Sequence, residues 1–173
     1  MALLVVAYPQ LVAADYAWIQ AIRRQYDAHY SLIAPHFTLV FPLNTIAQAA
    51  CVAHIVASVK HTSSIFFSIR CAMIVKDAFS PLTHLFLVPD AGYSALIKLH
   101  DALYVDLLAD HLRLDVAFIP HITIGGHIDP WVCKASADQI NQQNICIQGC
   151  ISAVDLISHE NDTVTTIKRI ALA

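Results

Sequence analysis

The sequence predicts a mixed helix-and-strand fold built as two similar halves, each with one strand whose polar face is set up for chemistry. Three observations predict it. A strand, a helix and a second strand headed by Pro-His-x-Thr occur twice: Leu3 to Pro9 leads to Pro35-His36-Phe37-Thr38-Leu39, and Leu85 to Pro89 leads to Pro120-His121-Ile122-Thr123-Ile124. Between the strands, apolar residues recur at spacings of three and four, the period of an amphipathic helix. Near the C-terminus they alternate instead with polar ones around His159-Glu160-Asn161-Asp162, an antiparallel hairpin pattern.

Taken in order, Leu3 to Ala7 is an aliphatic run closed by Tyr8-Pro9, of a length that suits a buried strand. Residues 13–29 set Tyr16, Ile19, Ile22 and Tyr26 on one helical stripe. Residues 32–41 return to strand character. A helix over 45–60 turns Ile46, Ala49, Ala50, Ala53 and Val56 or Ala57 inward. Strands follow at 65–75 and 85–88, separated by a loop at Pro81. Leu96, Leu99, Leu103 and Leu107 mark a long helix over 92–111, and 118–124 is again a strand. After Gly125-Gly126 and Pro130, a short helix is expected over 132–142, then the hairpin of 145–158 with 164–172.

The chain has 173 residues, 57% hydrophobic and only 13% charged, against roughly 25% charged in an average soluble domain. Extensive burial in one unit is expected. The longest apolar run, Met1 to Tyr8, is far short of the roughly 18 residues that a membrane-spanning helix needs, and it has no basic flank or cleavage site of a signal peptide. Five cysteines without a C-x-x-C pair suggest buried thiols in a reducing cytosol, and a cytoplasmic protein. A net charge of −3 gives no field for gripping duplex DNA, so a small or terminal phosphate suits it better.

Other chemistries lack their residues. There is no H-E-x-x-H, and His54 with His61, or His100 with His111, are not at the spacing of two ligands on one helical face, so no metal is expected. Four glycines without a G-x-x-x-x-G-K-S/T segment exclude a triphosphate cradle, and no serine lies in a G-x-S-x-G turn. His29, His84 and His159 fall near the ends of predicted elements, where solvated or capping roles are expected.

The paired motif remains. Side chains alternate along a strand, so His and Thr two residues apart share a face while Phe37, Leu39, Ile122 and Ile124 face the core. His36, Thr38, His121 and Thr123 would converge if the two strands lie side by side. Two imidazoles can divide the proton transfers of an in-line phosphodiester displacement, and the threonine hydroxyls can donate to the non-bridging oxygens. One chance match to P-H-x-T-aliphatic has odds of roughly half a per cent, and two are on the order of one in 10⁵.

On these motifs the chain resembles the two-histidine (2H) phosphoesterase superfamily, specifically its 2′-5′ RNA ligase-like branch. The resemblance extends to Arg23 or Arg24 with Tyr26-Asp27 ahead of the first motif, and to the terminal hairpin. It implies a bilobal α+β fold over residues 1–173, with two pseudo-symmetric lobes, each an antiparallel sheet with helices, and a central groove. It also implies metal-independent, cofactor-free cleavage of a 2′,3′-cyclic or related RNA-end phosphodiester, often to a 2′-phosphate. His36 would be the general acid and His121 the base, with a nucleotide or RNA terminus as substrate. Many relatives carry a basic residue soon after the second motif; here Gly125-Gly126-His127 follow, and His127 is the candidate replacement, although a solvent-exposed loop histidine is the stronger expectation. Tyr8, Phe41, Tyr93 and Trp131 are eligible to stack a base. The alternative from another class is an inactive protein that binds an RNA end or nucleotide in the same groove.

Overall fold

A computed structural model describes residues 1–173. The chain runs β1 (Ala2–Ala7), β2 (Gln10–Leu11), α1 (Ala13–Tyr26), β3 (Phe37–Leu43), α2 (Gln48–Val59), β4 (Ile65–Lys76), β5 (Thr83–Ala91), α3 (Tyr93–Leu103), a 3₁₀ segment (Asp106–His111), β6 (Ile122–His127), α4 (Pro130–Gln142), β7 (Ile147–Ile151), β8 (Ala153–Glu160) and β9 (Thr163–Ala171). All nine strands pair antiparallel in the order β2-β7-β4-β5-β6-β3-β1-β8-β9. The sheet curls strongly enough that Phe37 of β3 meets Phe67 of β4, three strands away, edge to face with ring centroids 5.2 Å apart. No helix is long and apolar enough to cross a membrane.

The predicted duplication is visible in the pairing. β3 pairs with β1, and β6 with β5, so each motif strand lies beside the strand that opens its own strand-helix-strand unit. The halves join where β3 meets β6, through the single register pair Phe37 and Ile122. The helices cross over this seam: α1 of the first unit packs on β6, and α3 of the second packs on β3. One continuous core of 32 buried residues draws on both halves.

A β-bulge follows each motif at the equivalent position. On β3, Thr38 pairs with Val6 but Val40 with Val5, leaving Leu39 as the extra residue. On β6, Thr123 pairs with Phe86 but Gly125 with Leu85, leaving Ile124 extra. A bulge reverses the alternation of faces beyond it. Leu39 and Val40 are therefore both buried, as are Ile124 and Gly125, and the burial sequence of 36–41 is repeated at 121–126. Helix α3 and its C-cap secure the first bulge, through His100, whose Nδ1 is 2.8 Å from the carbonyl of Leu39, and through Tyr104, whose hydroxyl accepts from the Phe41 N–H at 3.0 Å. Helix α1 secures the second by laying Tyr26 over Gly125.

Several expected boundaries shift, each for a visible reason. Helix α1 stops at Tyr26 rather than 29 because the Asp27 carboxylate bonds both the Arg23 guanidinium, at 2.7 Å, and the His29 N–H, at 2.9 Å, turning the chain. Strands β3 and β6 begin only after Pro35-His36 and Pro120-His121, since a proline has no N–H to extend a ladder. The helix expected over 92–111 breaks after Leu103, and Asp106 takes φ 41°, so Leu108 is buried and Leu107 exposed. Helix α2 buries Cys51, Ile55 and Val59, so the stripe expected at Ala49, Ala50, Ala53 and Val56 or Ala57 lies outside. The strand expected over 145–158 divides near Ser152 into β7 and β8, which serve opposite halves of the sheet. The two-residue β2 was not foreseen. Cys51 and Cys133 are buried, but Cys71 and Cys146 are exposed, contrary to the expectation of buried thiols.

The α1–β6 contact has no room for a side chain, because a Cβ at residue 125 would lie 2.6 Å from the Tyr26 Cβ. Gly125→Ala is expected to destabilise the fold by about 1–3 kcal/mol in urea unfolding. Gly126→Ala, whose nearest contact would be a side-chain atom at 3.3 Å, should cost less.

Candidate active site

Each motif histidine sits at the last position before its strand and is fixed in the same way. Residues preceding a proline are held in extended backbone, and Ala34 and Ile119 stand in that place before Pro35 and Pro120. Their carbonyls lie against the imidazoles two residues on, with His36 Nδ1 2.8 Å from the Ala34 oxygen and His121 Nδ1 2.6 Å from that of Ile119. A carbonyl only accepts, so Nδ1 carries the hydrogen in both rings. Nε2 is then the lone-pair nitrogen of each neutral imidazole.

Extended one residue each way, the Phe37–Ile122 register sets His36 opposite Thr123 and Thr38 opposite His121. The two motifs thus interlock, each histidine facing the other motif's threonine. Two cavities flank this seam. One, of about 560 Å³, is lined by His121, Thr38, Thr123 and Phe41 together with the segments 75–79 and 113–119. The other, of about 290 Å³, is lined by His36, Arg23, His29 and His159. Thr123 and His84 line both, so the cavities adjoin there.

Both histidines favour the neutral form. Burial is the main cause and lowers each pKa; the carbonyl on Nδ1 opposes it. For His121 the result is about 4, with His36 and His84 pushing the same way. His36 is lowered further by Arg23 and raised by Asp27. The environments are otherwise distinct. His121 stacks on Phe86 with centroids 3.5 Å apart, while Tyr8 meets His36 edge-on at 6.2 Å.

The approach to His36 is braced by Arg23, which is 1% exposed. It pairs with Asp27 and donates to the Gln20 side chain at 2.9 Å and the Ile33 carbonyl at 2.7 Å, fastening the 29–33 loop to α1. The approach to His121 is braced by Phe118, stacked on His100 at 3.6 Å.

Of the residues singled out from sequence, His36, His121, Thr38 and Thr123 are brought together, Phe41 joins the larger cavity, and Tyr8 stands beside His36. His127 is not brought in. Simple alternation from His121 would place it on the groove face, but the bulge at Ile124 turns it to the opposite side, where it is exposed beside a small crevice with Tyr26 and Cys133. Gly126 takes the groove-facing place instead, opposite His84. Trp131 is exposed at the start of α4, and neither it nor Tyr93 lines either cavity. Of the histidines expected in solvated or capping roles, His29 is exposed as expected, at the rim of the smaller cavity, whereas His84 and His159 are half-buried in its wall; His84 lies within β5, which is longer than its apolar run suggested. Sequence reading also passed over Phe86 and Arg113. The alternation His84-x-Phe86 was the available signal for two of these residues. No three His, Cys, Asp or Glu side chains converge closely enough to hold a metal ion.

Comparison with known proteins agrees with this architecture. Residues 9–163 match the family model of the 2′-5′ RNA ligase superfamily. A Geobacillus thermodenitrificans protein with a provisional phosphoesterase name is 28% identical over 153 residues, spanning 88% of this chain and 85% of its own. A similarly named protein of Geobacillus sp. (strain WCH70) is 26% identical over 150 residues, 87% of this chain and 83% of its own. Among solved structures, E. coli LigT in its apo form superposes with a TM-score of 0.58 at 18% identity, over 99% of this chain and 97% of that one. Kluyveromyces marxianus Usb1 gives 0.56 at 8% identity, over 96% and 97%. Both likenesses are of fold.

Because the folded-state pKa of His121, about 4, lies below its ordinary 6.5, the unfolded chain takes up this proton first as pH falls. The stability contributed is complete above pH 6.5 and drains away as the pH drops toward 4; the lowered His36 pKa acts in the same direction. Urea midpoints should therefore fall between pH 6.5 and 4.5, with a shallower slope in His121→Asn. Ring ¹⁵N titration should find His121 near pH 4 and His36 below 6.5. Titration of His121 at or above 6.5 would contradict the buried site described.

Proposed function

The chain belongs to the 2′-5′ RNA ligase superfamily of two-histidine phosphoesterases, and from that premise we propose that it hydrolyses a 2′,3′-cyclic nucleotide phosphate, or a related phosphodiester at an RNA end, to a 2′-phosphate. The observation that carries this reading is the interlocked seam, with two imidazoles on identical carbonyl braces and a hydroxyl opposite each. In the proposed step, His121 Nε2 takes a proton from water as the water oxygen bonds to phosphorus. The bond to the 3′ oxygen breaks on the far side, and His36 supplies the proton that the leaving oxygen needs. Thr38 and Thr123 donate to the non-bridging oxygens.

The division of roles is the one that the family resemblance implies. His121 is held strongly toward the neutral form, which a base requires before the reaction. His36 is lowered too, by burial first and with Arg23 opposing Asp27, and a bound phosphate anion beside it would favour the protonated form that an acid requires. The larger cavity, with Phe41, Phe86 and Phe118 in its wall, gives the nucleobase an aromatic surface next to His121.

Assay of 2′,3′-cyclic nucleotides is expected to show turnover that survives a chelator. His36→Ala and His121→Ala should each lose about 10² to 10⁴ in kcat while remaining folded by circular dichroism. Thr38→Val and Thr123→Val should lose roughly 10- to 10²-fold. Turnover of both histidine variants at the parent rate would sink the mechanism, and an inert parent that still binds nucleotide would leave only a binding role.

A further inference from the structure

The cationic side chains around the groove are already engaged. Arg23 is paired with Asp27 and three other acceptors. Arg113 is bidentate to Asp115, with both bonds 2.7 Å, and lies over the Phe79 ring. Lys76 donates to the Pro81 carbonyl. A phosphodiester anion at the seam would meet hydroxyls and neutral imidazoles but no unengaged lysine or arginine.

One side chain is placed to change this. His84 lines both cavities at their junction with Thr123. It pairs across the ladder with Gly126, and a Cβ there would be 3.3 Å from its Nδ1, so the ring leans over bare backbone of β6. Phe86 continues the stack, 5.6 Å from the His84 ring and 3.5 Å from His121. Nε2 of His84 lies 3.6 Å from Asp77 Oδ2, a carboxylate oxygen that also accepts from Ser80. Nδ1 has no hydrogen-bond partner among the side-chain contacts of the fold.

We propose that His84 is a phosphate-binding residue of this groove, donating from Nδ1 to a non-bridging phosphoryl oxygen above Gly126 and beside Thr123; this rests on the phosphodiesterase reading. The ring is held between the Asp77 carboxylate, 3.6 Å from Nε2, and the bare backbone at Gly126, so that Nδ1 is the nitrogen turned toward the seam. His121 and His36 share its cavities from the positions just before β6 and β3. His84 takes no part in the proton transfers, so its removal acts on binding.

The test uses inorganic phosphate as the probe in isothermal titration, beside KM and kcat for a 2′,3′-cyclic nucleotide. His84→Ala should weaken phosphate binding and raise KM by roughly 10- to 10²-fold, with kcat changed far less. His84→Gln, which keeps a donor, should fall between it and the parent. The distinguishing variant is His84→Ala with Gly126→Arg: it removes the ring that crowds residue 126 and places a cation on the neighbouring strand, at a glycine whose φ is not positive. Phosphate affinity and KM should return most of the way to the parent values. Phosphate affinity unchanged in His84→Ala, a parent that binds no phosphate, or a double variant no better than the single one would each overturn the proposal. A parent that binds phosphate through His84 but turns over no cyclic phosphate would instead overturn the proposed reaction and leave the binding site standing.

Discussion

The pairing of β3 with β6 through Phe37 and Ile122 is the constraint on which the site depends. Antiparallel pairing at that register puts residues whose numbers sum to the same total opposite one another, so His36 must face Thr123 and Thr38 must face His121. A slip of one residue in either strand would turn one H-x-T pair into the core and one Phe or Ile into the groove. The slip is opposed by burial: Phe37 and Ile122 are at most 1% exposed, and moving either to solvent would forfeit about 2 kcal/mol or more of apolar burial. The same alternation that exposes the chemistry therefore also locks its register.

The bulges do a second job at the seam. Each leaves one backbone unit outside the regular ladder just beyond a threonine, and a buried unpaired carbonyl or N–H is costly. On β3, His100 near the end of α3 and Tyr104 just after it cover this need at Leu39 and Phe41. His100 also carries Phe118, on the approach to His121, so one buried imidazole connects the first motif's bulge to the second motif's loop. Burial lowers its pKa against the pull of the Leu39 carbonyl, in keeping with a neutral structural histidine. The crossing of α1 and α3 over the seam makes the geometry of each motif depend on the helix of the other unit.

What was legible in the sequence is what periodicity and duplication encode. The H-x-T faces, the repeat and the antiparallel hairpin at Asn161-Asp162 are local patterns, and the positive φ of those two residues, 48° and 54°, is the turn chemistry expected of Asn and Asp there. What was not legible depends on pairing between distant segments. No single-strand pattern announces a bulge, so the face taken by His127 could not be counted from His121, and Gly126 was missed as the groove-facing residue. Nor does an exposed-looking histidine such as His84, at the end of a short apolar run, reveal that it stands opposite a glycine. The phase of α2 failed for another reason: in a helix rich in alanine, hydrophobicity hardly distinguishes the faces, and the larger Ile55 and Val59 decide which side is buried.

The charge economy of the groove follows from the same geometry. A chain with only 13% charged residues brings few cations to any site, and here Arg23 and Arg113 are held by neighbouring carboxylates. Binding a long polyanion gains from many unneutralised cations and the counterions they release, which the groove itself does not offer. Recognising one phosphate needs only a few donors aimed at one point, and donors that are dipoles or imidazoles can be buried with less desolvation penalty than fixed charges. Under the proposed reading, a groove lined by histidine and threonine would suit a single phosphoryl group, with the aromatic wall of the larger cavity left to contact what that phosphate is attached to.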